Sequence, residues 1–127
     1  MSLSTDLLDV LSRENKVFVA FSGGLDSTAL LFLCNKALKQ KKIRNLKAIH
    51  INHNLSENSD NWEQHCESFC NSNNIEFKSF IIEVTKNRSS IESQARQERY
   101  KIFESLLDEN DQILLAHHRD DVFETIL

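Results

Sequence analysis

The chain has 127 residues, a net charge of −4, no proline and two glycines, Gly23 and Gly24, which are adjacent. Average usage would put roughly nine glycines and six prolines in such a length, so collagen-like, low-complexity and linker classes are excluded. Hydrophobic residues make 40% and charged residues 27%, which suits one globular domain with its own core and excludes disorder.

Leu7, Leu8 and Leu11 mark a short amphipathic helix with Ser4 to Asp6 as cap candidates. Lys16–Phe21 (KVFVAF) reads as a buried strand that ends where the glycines begin. Asp26 to about Gln40 reads as a helix, with Leu30, Leu33, Cys34, Ala37 and Leu38 as its apolar stripe. Leu46–Asn52 is a second strand. Asn58–Asn73 is a helix with Trp62, Cys66, Phe69 and Cys70 on one face. Phe77–Val84 is a third strand, Thr85–Ser90 a polar loop, and Ile91–Leu107 a helix with Ala95, Ile102, Phe103 and Leu106 inward. Gln112–Ala116 is a fourth strand, and Asp120 or Asp121 opens a last helix carrying Phe123, Ile126 and Leu127. Strand and helix alternate, which predicts an α/β fold: a Rossmann-like parallel sheet of at least four strands with helices on both faces. The unfinished apolar face at the end suggests a fragment.

The longest apolar run, Ala29–Cys34, falls far short of the roughly 18 residues of a membrane helix. Met1–Glu14 lacks the basic start and apolar stretch of a signal peptide. The odd count of three cysteines fits reduced thiols and a cytoplasmic protein. Six basic residues (Lys36, Lys39, Lys41, Lys42, Arg44, Lys47) and no acid lie between Ser27 and Ser56. They fall at the end of one helix and the start of the next strand, away from the glycine edge, and read as a solvated basic face rather than an RNA patch.

Ser22-Gly23-Gly24-Leu25-Asp26-Ser27 lies at the carboxyl end of the first strand and leads into a helix. Ligands of open parallel sheets bind at that edge. Unpaired N–H groups and the helix dipole favour an anion there, and adjacent glycines let a backbone approach phosphate oxygens. Neither G-x-x-x-x-G-K-[ST] nor G-x-G-x-x-G is present. Asp26 would repel phosphate unless a divalent cation intervenes, which argues for Mg²⁺ with a nucleoside triphosphate. The plain alternative is a strand-to-helix turn capped by Asp26 or Ser27.

This hexapeptide resembles the S-G-G-x-D-S signature of the PP-loop ATP pyrophosphatases, which transfer AMP to an acceptor oxygen and release pyrophosphate. A second cluster, His117-His118-Arg119-Asp120-Asp121-Val122-Phe123-Glu124-Thr125, faces the same edge. Asp121 and Glu124 could form a capping box, and His117, His118, Asp120 and Asp121 have metal-ligand types. After a PP-loop, H-H-x-D-D-x-x-E-T is similar to the tRNA(Ile)-lysidine synthase family and the related tRNA 2-thiolation enzymes. The thiolation relatives carry Cys-x-x-Cys. This chain has Cys66-x-x-x-Cys70 on an apolar face, which favours the lysidine family. Glu92–Tyr100 resembles that family's E-x-x-A-R-x-x-R-Y helix, and His50–Ser56 its H-x-x-H-G-L-[RS] stretch, with Asn54 in place of glycine.

The resemblance implies a partial PP-loop nucleotide-binding catalytic domain over 1–127, with C-terminal domains beyond it. It implies ATP on Ser22, Gly23, Gly24, Leu25, Asp26 and Ser27, with His53 near the nucleotide and Asp26 toward Mg²⁺. Asp26, His117, Asp121 and Glu124 are the catalytic candidates. Arg96, Asp121 and Glu124 are the substrate candidates, for free L-lysine and tRNA(Ile) with a CAU anticodon. No membrane partner is expected, and a homodimer of the full-length protein is left open, since the sequence does not give the oligomeric state. Arg99 breaks the apolar stripe between Ala95 and Phe103, where a charge needs a partner, and reads as structural or phosphate-facing. His50 reads as a satisfied core residue and His65 as solvated. A tRNA thiolase and a non-catalytic nucleotide-binding module remain the rival readings.

Overall fold

The computed structural model describes residues 16–53, 58–83, 91–108, 111–116 and 123–126, with 91–93 and 123–126 as backbone only. The elements are β1 (Lys16–Ala20), α1 (Leu25–Lys39), β2 (Asn45–Asn52), α2 (Asn58–Ser72), β3 (Glu76–Ile81), α3 (Ile91–Leu106), β4 (Gln112–Ala116) and β5 (Phe123–Ile126). The expected helix at Leu7–Leu11 lies outside the described residues.

The sheet has five strands in the order β3-β2-β1-β4-β5. The first four are parallel, with Val17 opposite Leu46 on one side and Gln112 on the other. β1 is central and buried on both sides, which is why it reads as a continuous apolar run. Val17 and Val19 pack with Leu30, Leu31 and Cys34 of α1 and Cys66 and Cys70 of α2. Phe18 packs on the opposite face with Ile49, Ile113 and Phe103 of α3. The chain steps outward through α1 and α2, then returns through α3 to the far side of β1. Right-handed crossovers that reverse direction put their helices on opposite faces. The expected α/β architecture with helices on both faces is what the structure has.

The last element differs from expectation. Phe123–Ile126 is a strand antiparallel to β4, not the start of a helix, with Ala116 opposite Phe123 and Leu115 opposite Glu124. Phe, Thr and Ile favour strands, and the edge of β4 offers a row of unpaired backbone groups. A helix must first form a costly turn. A stretch this short satisfies its backbone sooner by pairing.

Scarce glycine also shows at the helix ends. Lys42 N–H donates to Ala37 C=O at 2.9 Å and Lys41 N–H to Leu38 C=O at 3.0 Å. Ile75 N–H and Asn74 N–H repeat this on Cys70 and Asn71, at 2.9 and 3.3 Å. Both are Schellman closures, whose left-handed residue is usually glycine. Here it is Lys41 at φ 60° and Asn74 at φ 58°. A lysine in that region costs roughly 1–2 kcal/mol, offset in part by the greater unfolded-state entropy of a glycine. Lys41→Gly is therefore expected to stabilise the fold by about 0.5–1 kcal/mol, read as a rise in the urea midpoint.

Candidate nucleotide site

The loop after β1 sits where the strand order reverses, between β1 and β4, the crevice in which open α/β sheets bind ligands. A cleft of ≈ 500 Å³ opens there, within the size range of small-molecule sites. Ser22, Gly24, Leu25, Asp26 and Ser27 line one side. Ile49, Ile51, Leu115 and Phe103 form an apolar wall, and His53 and Arg99 complete it.

Gly24, not Asp26 or Ser27, is the N-cap of α1, and no side chain caps the helix there. Ser27 turns back into the loop instead. Its Oγ accepts Ser22 N–H at 3.1 Å and Gly23 N–H at 3.2 Å. It also lies 2.9 Å from Ser22 Oγ. Two successive backbone donors thus converge on one oxygen, the Ser27 hydroxyl, which takes the position an anion would hold in a nest. Thr28 Oγ1 donates to Gly24 C=O at 2.7 Å, and Gly24 N–H donates to Ser22 Oγ at 3.2 Å.

Gly23 lies behind the loop at φ +88°. A Cβ there would stand 2.7 Å from Cys66 Sγ and 2.9 Å from Trp62 Cζ2. Trp62 Nε1–H donates to Ser22 C=O at 2.6 Å, and Cys66 Sγ–H reaches the same oxygen at 3.7 Å. The α2 stripe therefore does more than fill the core. Nothing in the spacing signals the Trp62 bond, beyond the general need of an indole N–H for an acceptor.

Arg99 Nε and His53 Nδ1 are buried without a hydrogen-bond partner among the described residues, and both residues line the cleft. Such orphans are rare in native structures and call for a ligand or water. Burial first, then the Arg99 guanidinium and His50, hold His53 below its ordinary value, so the ring is neutral near pH 7. The charge that interrupts the apolar stripe of α3 thus faces the cleft. Arg96 is exposed, stands 5.3 Å from the Tyr100 ring and does not line the cleft. His50 is the satisfied core residue expected: its Nδ1 lies 2.9 Å from Phe21 C=O, and it stacks on Phe77. His65 is exposed and stacks on Trp62.

His117 and Asp121 lie outside the described residues. Glu124 is on β5, paired with the cleft residue Leu115, so the expected Asp121–Glu124 pairing along a helix does not hold. Lys36, Lys39, Lys41, Lys42 and Arg44 are exposed at the other edge of the sheet, and Lys47 pairs with Glu76 at 3.7 Å. Among the described residues no helix is long and apolar enough to cross a membrane.

The PP-loop domain model matches residues 2–127. The chain belongs to that family. It is 43% identical over 125 residues to the tRNA(Ile)-lysidine synthase of Legionella pneumophila strain Lens, covering 98% of this chain and 28% of that protein. It is 43% identical over 122 residues to the enzyme of the same name from Histophilus somni strain 2336, covering 94% and 28%. The chain thus spans little more than a quarter of these relatives. Among solved structures it resembles a U34-tRNA thiolase, NcsA, from Methanococcus maripaludis with its [4Fe-4S] cluster. There the TM-score is 0.74 and the identity 27%, over 94% of this chain and 44% of that one.

Two expectations follow for this PP-loop domain. Gly23→Ala meets both the positive φ and the packed Cys66 and Trp62, and costs on the order of 2 kcal/mol or more. Gly24→Ala meets only Ser22 Oγ at 3.5 Å and stays within about 1 kcal/mol; chemical denaturation compares the two. Because folding lowers the His53 pKa from 6.5, the unfolded chain binds its proton more readily. Its contribution to stability is present above the unfolded value and is lost as pH falls through the folded one. His53→Gln should flatten that decline when urea midpoints are compared from neutral pH downward.

Proposed function

We propose that this domain binds ATP in the cleft and adenylates the wobble cytidine of tRNA(Ile) with a CAU anticodon, to which free lysine is then coupled. The observation that carries the nucleotide reading is the pair of orphaned atoms, Arg99 Nε and His53 Nδ1, in a cleft also lined by Ser22, Gly24, Leu25, Asp26 and Ser27. A guanidinium and a helix N-terminus are what polyphosphate requires, and beside them Ser22 N–H and Gly23 N–H converge on the Ser27 hydroxyl, whose place a phosphate oxygen would take. The apolar wall of Ile49, Ile51 and Leu115 suits a purine. Asp26 lines the same cleft as a hard oxygen donor and fits Mg²⁺, which when bound would neutralise phosphate charge.

In the reaction, the C2 carbonyl oxygen of cytidine attacks the α-phosphorus and pyrophosphate leaves. The deprotonated ε-amine of lysine then attacks C2 and displaces AMP. Asp121 and Glu124 are assigned to the lysine ammonium and its proton, and His117 to the adenylated base. Arg96, exposed beside Tyr100, is assigned to the tRNA or lysine.

The solved thiolase makes sulfur transfer the rival. Sulfur and cluster chemistry use thiolates. Here burial pushes the Cys34 thiol to about 12 and the Cys66 thiol to about 11, with Glu63 adding to the latter. Burial, then Cys66, pushes Cys70 to about 12. All three are packed in the core beneath α1 and α2, so the cysteines of this chain support the lysine reading.

Full-length protein, ATP, Mg²⁺ and tRNA(Ile) bearing CAU should release pyrophosphate and add one lysine residue to cytidine. A gain of sulfur would mean a thiolase. ATP binding with no pyrophosphate release, even with tRNA and lysine, would mean a non-catalytic module. Asp121→Ala should lower lysine incorporation by about 10²–10⁴-fold; unchanged incorporation removes Asp121 from its role.

A further inference from the structure

Trp62 belongs to no part of the site as the motifs define it. The residue is 45% exposed, so water could satisfy its indole N–H. That N–H instead donates to the Ser22 carbonyl at 2.6 Å. The Ser22 carbonyl and the Gly23 N–H belong to one peptide unit. In a trans peptide these two groups point in opposite directions, and no cis peptide occurs among the described residues. Holding the carbonyl against α2 therefore aims the Gly23 N–H the other way, onto Ser27 Oγ at 3.2 Å. Ser22 N–H converges on the same oxygen.

Glycine tolerates either orientation of that peptide, so residue type alone does not choose. A flipped peptide would take the Gly23 N–H off Ser27 Oγ and set a carbonyl oxygen toward that hydroxyl in its place. The indole itself is held firmly. Asn52 Nδ2 at the end of β2 donates to Asp60 Oδ1 at 3.0 Å and Glu63 Oε1 at 3.2 Å, fixing the turn that carries Trp62. His65 stacks on the indole at 4.8 Å.

We propose that Trp62 is a positioning residue that latches the Ser22–Gly23 peptide with its N–H turned to Ser27 Oγ, the orientation in which a phosphate oxygen can take over that donor. This rests on the nucleotide reading of the cleft. The latch acts on the pyrophosphate end of the nucleotide and not on the second substrate.

The test uses full-length protein in three forms: wild type, Trp62→Phe, and 3-benzothienylalanine at position 62, which keeps the ring shape but has sulfur in place of N–H. Both variants should raise the KM for ATP about five- to tenfold, the equivalent of one lost hydrogen bond. The KM for lysine should stay unchanged and the melting temperature of the benzothienyl form should match wild type. The emission difference between wild type and Trp62→Phe should change when ATP or inorganic pyrophosphate is added. An ATP KM within twofold of wild type in the benzothienyl form overturns the latch. So does a loss of kcat that follows the folded fraction at constant KM. A structure of that form with the Ser22 carbonyl still turned to position 62 overturns it without reference to ATP. Wild type that binds neither ATP nor pyrophosphate would instead remove the nucleotide reading, and the latch with it.

Discussion

The passage of the chain between the end of β1 and the side of α2 is the constraint on which the site depends. Ser22 C=O is held by Trp62. The next residue must turn at positive φ with Cys66 and Trp62 less than 3 Å from where a Cβ would be. Only glycine meets both conditions. Gly24 then starts α1 with extended dihedrals, and Ser27 returns to gather the loop donors. The two glycines of the chain thus have unlike duties. One resolves a collision, and the other begins a helix whose N-terminus opens on the cleft.

That cleft exists because of strand order. With β1 between β2 and β4, the α1 and α3 layers diverge over its carboxyl end. Apolar residues from β2, β4 and α3 reach the opening. The chain fills the divergence with the loop on one side and Arg99 and His53 on the other. The core that fixes these elements and the wall of the site are partly the same residues. Ile49 and Phe103 belong to both.

The strands and helices were legible because burial writes a period into the sequence. Residues 112–116 fall where the QILLA pattern puts them, and the other shared elements shift by only a few residues at their ends. The break in the α3 stripe at Arg99 pointed to a charge needing a partner, and Arg99 faces the cleft. Periodicity names a face but not its partner, so Trp62 could be placed on the α2 stripe but not on Ser22. Two helix ends with Lys41 and Asn74 in the left-handed region were hidden because residue type argues against lysine there and only permits asparagine, and the closing hydrogen bonds decide both. The strand at Phe123–Ile126 was hidden for a related reason. Its decisive partner, the edge of β4, is tertiary. For Glu124 this changes the argument from spacing along a helix to register beside Leu115.

The electrostatics of the site are local. The chain is acidic overall at −4, and its exposed basic run lies at the opposite edge of the sheet from the loop. The polar groups at the cleft are short-range ones: the α1 terminus, the Ser22 and Ser27 hydroxyls and the Arg99 guanidinium. Keeping His53 neutral serves that arrangement. A second cation beside Arg99 would cost desolvation and repulsion in the cleft, and both effects lower the His53 pKa. A neutral ring can instead accept or donate one hydrogen bond at Nδ1. Groups this enclosed are screened less by salt than surface charges. The cleft is thus suited to hold a small anionic ligand by its shape and its enclosed polar groups rather than by net charge.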